Sequence, residues 1–345
     1  MDSVIVTRDL KKSFPSRKGT VEAVRGVDID VVPGEIFGFL GPNGAGKTTT
    51  LRMLTTLLPI DSGSASVVGL DVRTRAKEVR SQIGYVSQLG GADELATGRE
   101  NLVLQGRLYG GELSVVRARV EELLELLDLS EFADRKVITY SGGQRRRLDV
   151  ALGMVHEPKV LFLDEPTTGL DPQNRANLWD HLRRLRDKGT TIFLTTHYLE
   201  EADALCDRIT IMDHGTIVAQ GTSRELKQRV AGDSVLLGLK EGGHGCERAL
   251  ALLGAQPYVR EASADGGQVR LYVEQGEAVL PEMLRLLDAE GIGLGSVRLS
   301  EPTLDDVFLR QTGRSLRDAG RPAGDPQHRG AKAGDRGREA EEGAE

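Results

Sequence analysis

The chain has 345 residues, 39% of them hydrophobic and 28% charged, with a formal net charge of −7 at pH 7. That length admits two domains with a core each, and the acidic balance argues against a general nucleic-acid binder. No run reaches the about eighteen apolar residues of a membrane-spanning helix. The N-terminus MDSVIVTRDLKK has no signal-peptide pattern, and Cys206 and Cys246 stand far apart with no metal-ligand spacing. A cytoplasmic protein with buried or idle thiols is expected.

In chain order, SVIVTR (3–8) and TVEAVRGVDIDVV (20–32) alternate apolar and polar residues, as half-buried antiparallel strands do. Between them KKSFPSRKGT reads as a polar loop carrying Phe14, which either stacks on a nucleobase or makes a small core contact. The run Glu35-Ile36-Phe37-Gly38-Phe39-Leu40 then reads as a buried strand and KTTTLRMLTTLL as a helix. The loop joining them is GPNGAGKTT: Gly41, Pro42, Asn43, Gly44, Ala45, Gly46, Lys47, Thr48 and Thr49. Its G-x-x-x-x-G-K-T spacing suits phosphate binding. Glycines let successive N–H groups turn inward, the helix adds its positive end, Lys47 reaches the outer phosphates and the Thr48 hydroxyl suits Mg²⁺.

Further on, PIDSGSASVVGLDV reads as turn, strand, turn, and IGYVSQ as an apolar strand ending on Gln88. From Gly98 to about His156 the pattern is helical; Val116, Val120, Leu123, Leu124 and Leu127 recur on one face and are core material. Ser141, Gly142 and Gly143, ahead of a helix starting near Gln144, form either a second anion site or an ordinary helix start. Arg145, Arg146 and Arg147 are expected on a solvated helix face. In KVLFLDEP four apolar residues make a buried parallel strand with Asp164 and Glu165 at its carboxyl end, where open α/β sheets bind ligands. Asp164 suits Mg²⁺ and Glu165 a base for an attacking water; a surface acidic turn is the alternative. A helix closed by Gly189, a buried strand ending on His197 and a hairpin turning at His214-Gly215 complete the block. Beyond residue 233 the order strand, helix, strand, strand, helix, strand is that of a split βαβ, ferredoxin-like unit, and TLDDVFLRQTG adds a short helix. Its stripe Leu304, Val307 and Phe308 is expected either on that unit's own sheet or on another subunit.

The phosphate loop, Gln88, YSGGQ, LDEP, Gly169-Leu170-Asp171 and His197 stand in one order, and over residues 3 to 230 the chain resembles the ATP-binding subunit of an ABC transporter. The loop resembles the family's Walker A and VLFLDEP its Walker B; YSGGQ resembles the signature, with Tyr140 where Leu is usual. IFGFLGPNGAGKTTT, GRENLVLQGRLYG, RRRLDVALG and LDDVFL resemble the daunorubicin-resistance type of ABC exporter ATPase. The resemblance implies an α/β P-loop ATPase with antiparallel β and helical subdomains (3–232, helices about 89–156), followed by the small α+β ferredoxin-like domain (234–312) that the element order indicates. From Gly313 to Glu345 the chain is almost bare of large apolar residues and cannot offset its ordering entropy, so a disordered tail (313–345) is expected. The resemblance also implies ATP and Mg²⁺ as ligands, Phe14 on the adenine, Thr48, Gln88 and Asp164 around the metal, Glu165 as base and His197 at the γ-phosphate. Two such cassettes would face each other, each ATP lying on Lys47 and Thr48 of one and facing Ser141, Gly142, Gly143 and Gln144 of the other. The implied partner is a separate ABC-2 type membrane permease, with the ATPase peripheral on the inner face of the cell membrane, no nucleic acid, and a drug, antibiotic or lipid-like cargo. The rival readings are the ATPase of another ABC-type exporter (polysaccharide, lipid), an importer, or a soluble non-transport ABC ATPase. The two C-terminal helices and the absence of a coiled-coil insertion speak against the last two.

Overall fold

A computed structural model describes residues 3–17, 19–229, 232–240, 243–265, 267–300 and 302–313. The tail expected to be disordered lies, beyond Gly313, outside them. β1 (Ile5–Ser16) and β2 (Gly19–Val31) form one long antiparallel hairpin. Phe14 therefore sits on a strand opposite Val21, not in a polar loop. The alternation that reveals the first half of β1 breaks at Asp9, where a φ of 48° and shifted register mark a bulge.

β3 (Ile36–Leu40) runs through the glycine-rich loop into α1 (Lys47–Leu54). β4 (Ser62–Val67) and β5 (Leu70–Asp71) return to the hairpin, giving a four-stranded antiparallel sheet β2-β1-β4-β5. α2 (Ala76–Gln82) leads to β6 (Ile83–Val86) and on to the helical block of α3 (Gly98–Leu108), α4 (Leu113–Leu126) and α5 (Gly142–Met154). Then come β7 (Val160–Asp164), α6 (Pro172–Asp187), β8 (Thr191–Thr196), α7 (Leu199–Leu205), the hairpin of β9 (Arg208–Asp213) and β10 (Thr216–Gly221), and α8 (Ser223–Arg229).

The six-stranded sheet has the order β10-β9-β3-β8-β7-β6, parallel except for the edge strand β10. β3, β7 and β8 are buried along their whole length, which is why each reads as an unbroken apolar run. Alternate residues serve opposite faces. Phe37, Phe39 and Phe162 gather around Phe193 on one, with ring centroids 5.4–5.7 Å apart. Ile36, Leu40, Leu161, Leu163, Ile192 and Leu194 meet the helical block on the other. Each such side chain stabilises the fold by about 2 kcal/mol.

The C-terminal segment contains β11 (Asp233–Leu239), α9 (Gly243–Gly254), β12 (Val259–Asp265), β13 (Gln268–Val273), α10 (Gly276–Ala289) and β14 (Leu294–Ser300). The strands form an antiparallel sheet in the order β12-β13-β11-β14, the split βαβ arrangement, over its own core of Val235, Leu237, Leu271 and Met283. α11 (Leu304–Thr312) meets its own unit's sheet only in part, at Arg270 and Tyr272 of β13. It crosses back and packs on α7, α8 and β10 of the same chain. Leu304, Val307 and Phe308 are buried in one cluster with Ala202, Leu205, Leu226 and Tyr272. Asp306 accepts from Tyr272 Oη (2.8 Å) and Arg270 Nη1 (3.0 Å), fixing the helix to β13.

Candidate active site

Parallel strands all point their carboxyl ends one way, so the segments leaving β3, β6, β7 and β8 collect at one edge of the sheet. Lys47, Gln88, Glu165 and His197 lie on those segments. Gly46, the residue before α1, has φ 104°, and a Cβ there would lie 2.3 Å from Ala23 O; only glycine closes this loop. Lys47, 4% exposed, donates from Nζ to Gly41 O (2.7 Å) and Pro42 O (3.1 Å), which threads the ammonium through the loop. Burial holds its pKa below the usual lysine value, against the pull of Glu165 and Asp164.

Asp164 Oδ1 accepts from Thr48 Oγ1 (2.9 Å) and Thr195 Oγ1 (2.7 Å), leaving a hydroxyl and a carboxylate side by side under the loop. That oxygen-only set suits a hard divalent cation. Glu165 has φ 47°, a left-handed conformation unfavourable for a residue with a Cβ. Its amide donates to Thr195 O (3.1 Å), and its side chain meets three of the other strand-end groups. Lys47 Nζ is 3.7 Å from Oε1, Gln88 Nε2 donates to Oε2 (3.3 Å), and His197 Nδ1 lies 3.2 Å from Oε1, off the line of a well-formed hydrogen bond. Burial alone raises the Glu165 carboxyl, but His197, Lys47 and Thr168 outweigh it and hold it below the ordinary value.

Ser141 caps α5: its Oγ accepts from Gln144 N (3.2 Å) while Gln144 Oε1 accepts from Ser141 N (2.9 Å). The side chains of Ser141 and Gln144 thus each serve the other's backbone amide, and the first-turn amides of Gly142 and Gly143 have no intrahelical acceptor. Tyr140 is buried where the family usually has Leu. Its ring packs edge-on to Phe132 and its hydroxyl donates to Phe132 O (2.6 Å), so the larger side chain has a polar partner of its own. Arg146 corrects an expectation. It is not on a solvated face but 7% exposed, donating to Pro166 O (2.7 Å), Ser87 O (2.7 Å) and Asp164 O (3.2 Å). It ties α5 to the ends of β7 and β6. Nothing in an Arg-Arg-Arg run marks its middle member; helical phase relative to buried Val150 and Gly153, four and seven residues on, is the available signal. Phe14 is half-buried on β1 with Lys12 Nζ 5.5 Å from its ring centroid, and it belongs to none of the apolar clusters among the described residues.

A cradle for phosphates, an acid pair at a strand end and an internally capped Ser-Gly-Gly turn define a phosphate-loop ATPase. Known proteins agree. The ABC transporter family profile matches residues 24–168, and that of the ATP-binding protein DrrA1-3-like C-terminal domain matches 221–312. The daunorubicin resistance ATP-binding protein DrrA2 of Streptomyces coeruleorubidus is 45% identical over 306 residues, 88% of this chain and 94% of its own. The Nod factor export ATP-binding protein I of Rhizobium sp. is 38% identical over 309 residues, 89% and 96% of the two chains. The solved structure of cbiO1 from Clostridium perfringens, part of an ABC transporter complex, superposes with a TM-score of 0.59 at 26% identity, covering 67% of this chain and 95% of that one. The chain belongs to the DrrA-like ATP-binding subunits of ABC transporters, and it is the ATP-hydrolysing subunit of an ABC exporter. Such a subunit works with a membrane partner and in cassette pairs. Among the described residues no helix is long and apolar enough to cross a membrane.

Proposed function

We propose that Glu165 is the base of ATP hydrolysis and that Lys47, Gln88 and His197 set its charge and aim. The observation that carries this is the convergence of those three side chains on one carboxylate held in a strained backbone. The depressed carboxyl stays ionised at neutral pH and can take a proton from water. Lys47 and the loop amides bind the β- and γ-phosphates and neutralise developing charge. Mg²⁺ fits the oxygen set of Thr48 and Asp164 with Gln88 nearby; when bound it supplies positive charge to the phosphate oxygens. His197 contacts the γ-phosphate, and Phe14 stacks on adenine.

Ser141, Gly142, Gly143 and Gln144 serve the ATP of a second copy, since their capping partners lie within their own helix turn. The division into 3–232 and 234–312 follows the separate sheets. The membrane partner is an ABC-2 type permease, with the ATPase on the inner face of the cell membrane. In support, eight of the eleven exposed large apolar side chains among the described residues fall within residues 89–138, and Leu89 beside Gln88 is 98% exposed. The cargo is a drug, antibiotic or lipid-like compound; the relatives named for daunorubicin resistance and Nod factor export support an exported small solute. Glu165→Gln is expected to keep ATP binding and lose turnover by a factor on the order of a thousand, trapping an ATP-bound pair. Lys47→Ala loses binding itself. Turnover within a few-fold of wild type in Glu165→Gln removes the base assignment.

A further inference from the structure

From the end of β6 the chain passes to the helical block through residues 87–92, and α5 grips that passage at two points. Arg146 Nη1 donates to Ser87 O (2.7 Å), and Asp149 Oδ1 accepts from Gly91 N (3.0 Å). Ser87 Oγ donates to Gly90 O (2.9 Å), closing the loop on itself. Gly90 has φ 78°, and a Cβ there would lie 2.7 Å from Asp149 Oδ2, so glycine is what lets the carboxylate close on the backbone. Between the two grips Gln88 and Leu89 stand exposed.

Asp149 is 6% exposed, and burial raises its carboxyl against the help of the Gly91 amide and Arg146. A buried carboxylate is costly unless its bonds matter. It touches neither the phosphate loop nor the Glu165 cluster, and the chemistry described above does not use it.

We propose that Asp149 is a positioning residue for the Gln88 loop: with Arg146 it ties residues 87–91 to α5, so that the reach of Gln88 to Glu165 and the aim of the Ser141–Gly143 turn are set by one rigid piece. This rests on the roles given above to Gln88 and Ser141. Without the anchor the loop keeps its sequence but samples more conformations. Gln88 then meets Glu165 less often, although ATP still binds.

The test compares full-length Asp149→Ala, Asp149→Asn, Gln88→Ala and the Asp149→Ala/Gln88→Ala double variant. Readouts are ATPase kcat and KM, nucleotide binding, Tm, and amide hydrogen exchange over residues 86–93. Asp149→Ala is expected to speed exchange at residues 90–92 and lower kcat on the order of tenfold, with KM within about twofold. It should add nothing to the loss caused by Gln88→Ala. Asp149→Asn keeps an oxygen acceptor for Gly91 N–H and returns most of both kcat and protection. If Asp149→Ala does not fold, Gly90→Ala, which forces the carboxylate off the loop, gives the same pattern. Unchanged exchange in Asp149→Ala overturns the proposal. So do losses that multiply in the double variant, or a fall in nucleotide binding that tracks Tm in both Asp149 variants. A Gln88→Ala chain with wild-type turnover instead removes the role given to Gln88, and exchange alone then decides the anchor.

Discussion

Glu165 combines two costs at one residue, a left-handed backbone and a carboxyl taken out of water. Strain of this kind costs about 1–3 kcal/mol and persists only where the surroundings enforce it. Here the enforcement is visible: Glu165 N is held by Thr195 O, and Lys47, Gln88 and His197 surround the side chain. Its folded pKa lies below the ordinary value of 4.5. The ionised carboxylate therefore stabilises the fold above about pH 4.5, and that contribution fades as pH falls through the lower folded value. Wild type should hold its Tm advantage over Glu165→Gln down to about pH 4.5 and lose it below that, the thermal melts of the two chains converging only below the lower folded value. A gap independent of pH would mean that the charge of Glu165 has no net favourable partner. Gly46→Ala tests the loop: the methyl would press on Ala23 O at a φ of 104°. We expect a loss of about 2 kcal/mol or more, measured by denaturant titration, together with loss of ATP binding.

At the scale of elements, the Ser141–Gln144 capping box makes a prediction in two parts. Ser141→Ala should cost about 1 kcal/mol of stability, read from chemical denaturation. Mixing Ser141→Arg with Lys47→Ala chains should restore one intact site per pair, read as nucleotide occlusion. No occlusion in the mixture would favour a site built within one subunit. The same scale explains what the sequence can and cannot disclose. β3, β7 and β8 are buried on both faces and short, so apolar runs ending in functional residues identify them and, with them, Lys47, Glu165 and His197. α2 and α8 leave no such trace, because each contributes one buried apolar side chain, Val79 and Leu226, too few to mark a helical period. The bulge at Asp9 hides the outer half of β1. Arg146 is invisible to composition, which reports charge, whereas helical phase and the carbonyls of Ser87, Asp164 and Pro166 decide burial.

Across the whole molecule, α11 decides how the C-terminal sheet is joined to the ATPase. Sequence pattern gives its stripe correctly but not its target, since an apolar face does not name what covers it. The covering surface comes from α7, α8 and β10, and α7 begins two residues after His197. Phe308 is fully buried in the cluster that holds Ala202, Leu205 and Leu226. Cutting the chain after residue 233 would leave those side chains uncovered. The fragment 1–233 should therefore be less stable than the full chain, aggregate more readily, and bind ATP only at temperatures where it remains folded. Phe308→Ala isolates the contact within the intact chain: a cavity of that size costs about 3–5 kcal/mol. The loss should appear in the melting of the ATPase itself and not only in that of the C-terminal sheet. Asp306→Asn weakens the other attachment, because Arg270 and Tyr272 both bond the Asp306 carboxylate. Calorimetry distinguishes the outcomes. A single transition that moves down in both variants means the two units melt together through α11. A wild-type ATPase transition in Phe308→Ala, with only a smaller second peak displaced, would show that α11 rests on the cassette without supporting it.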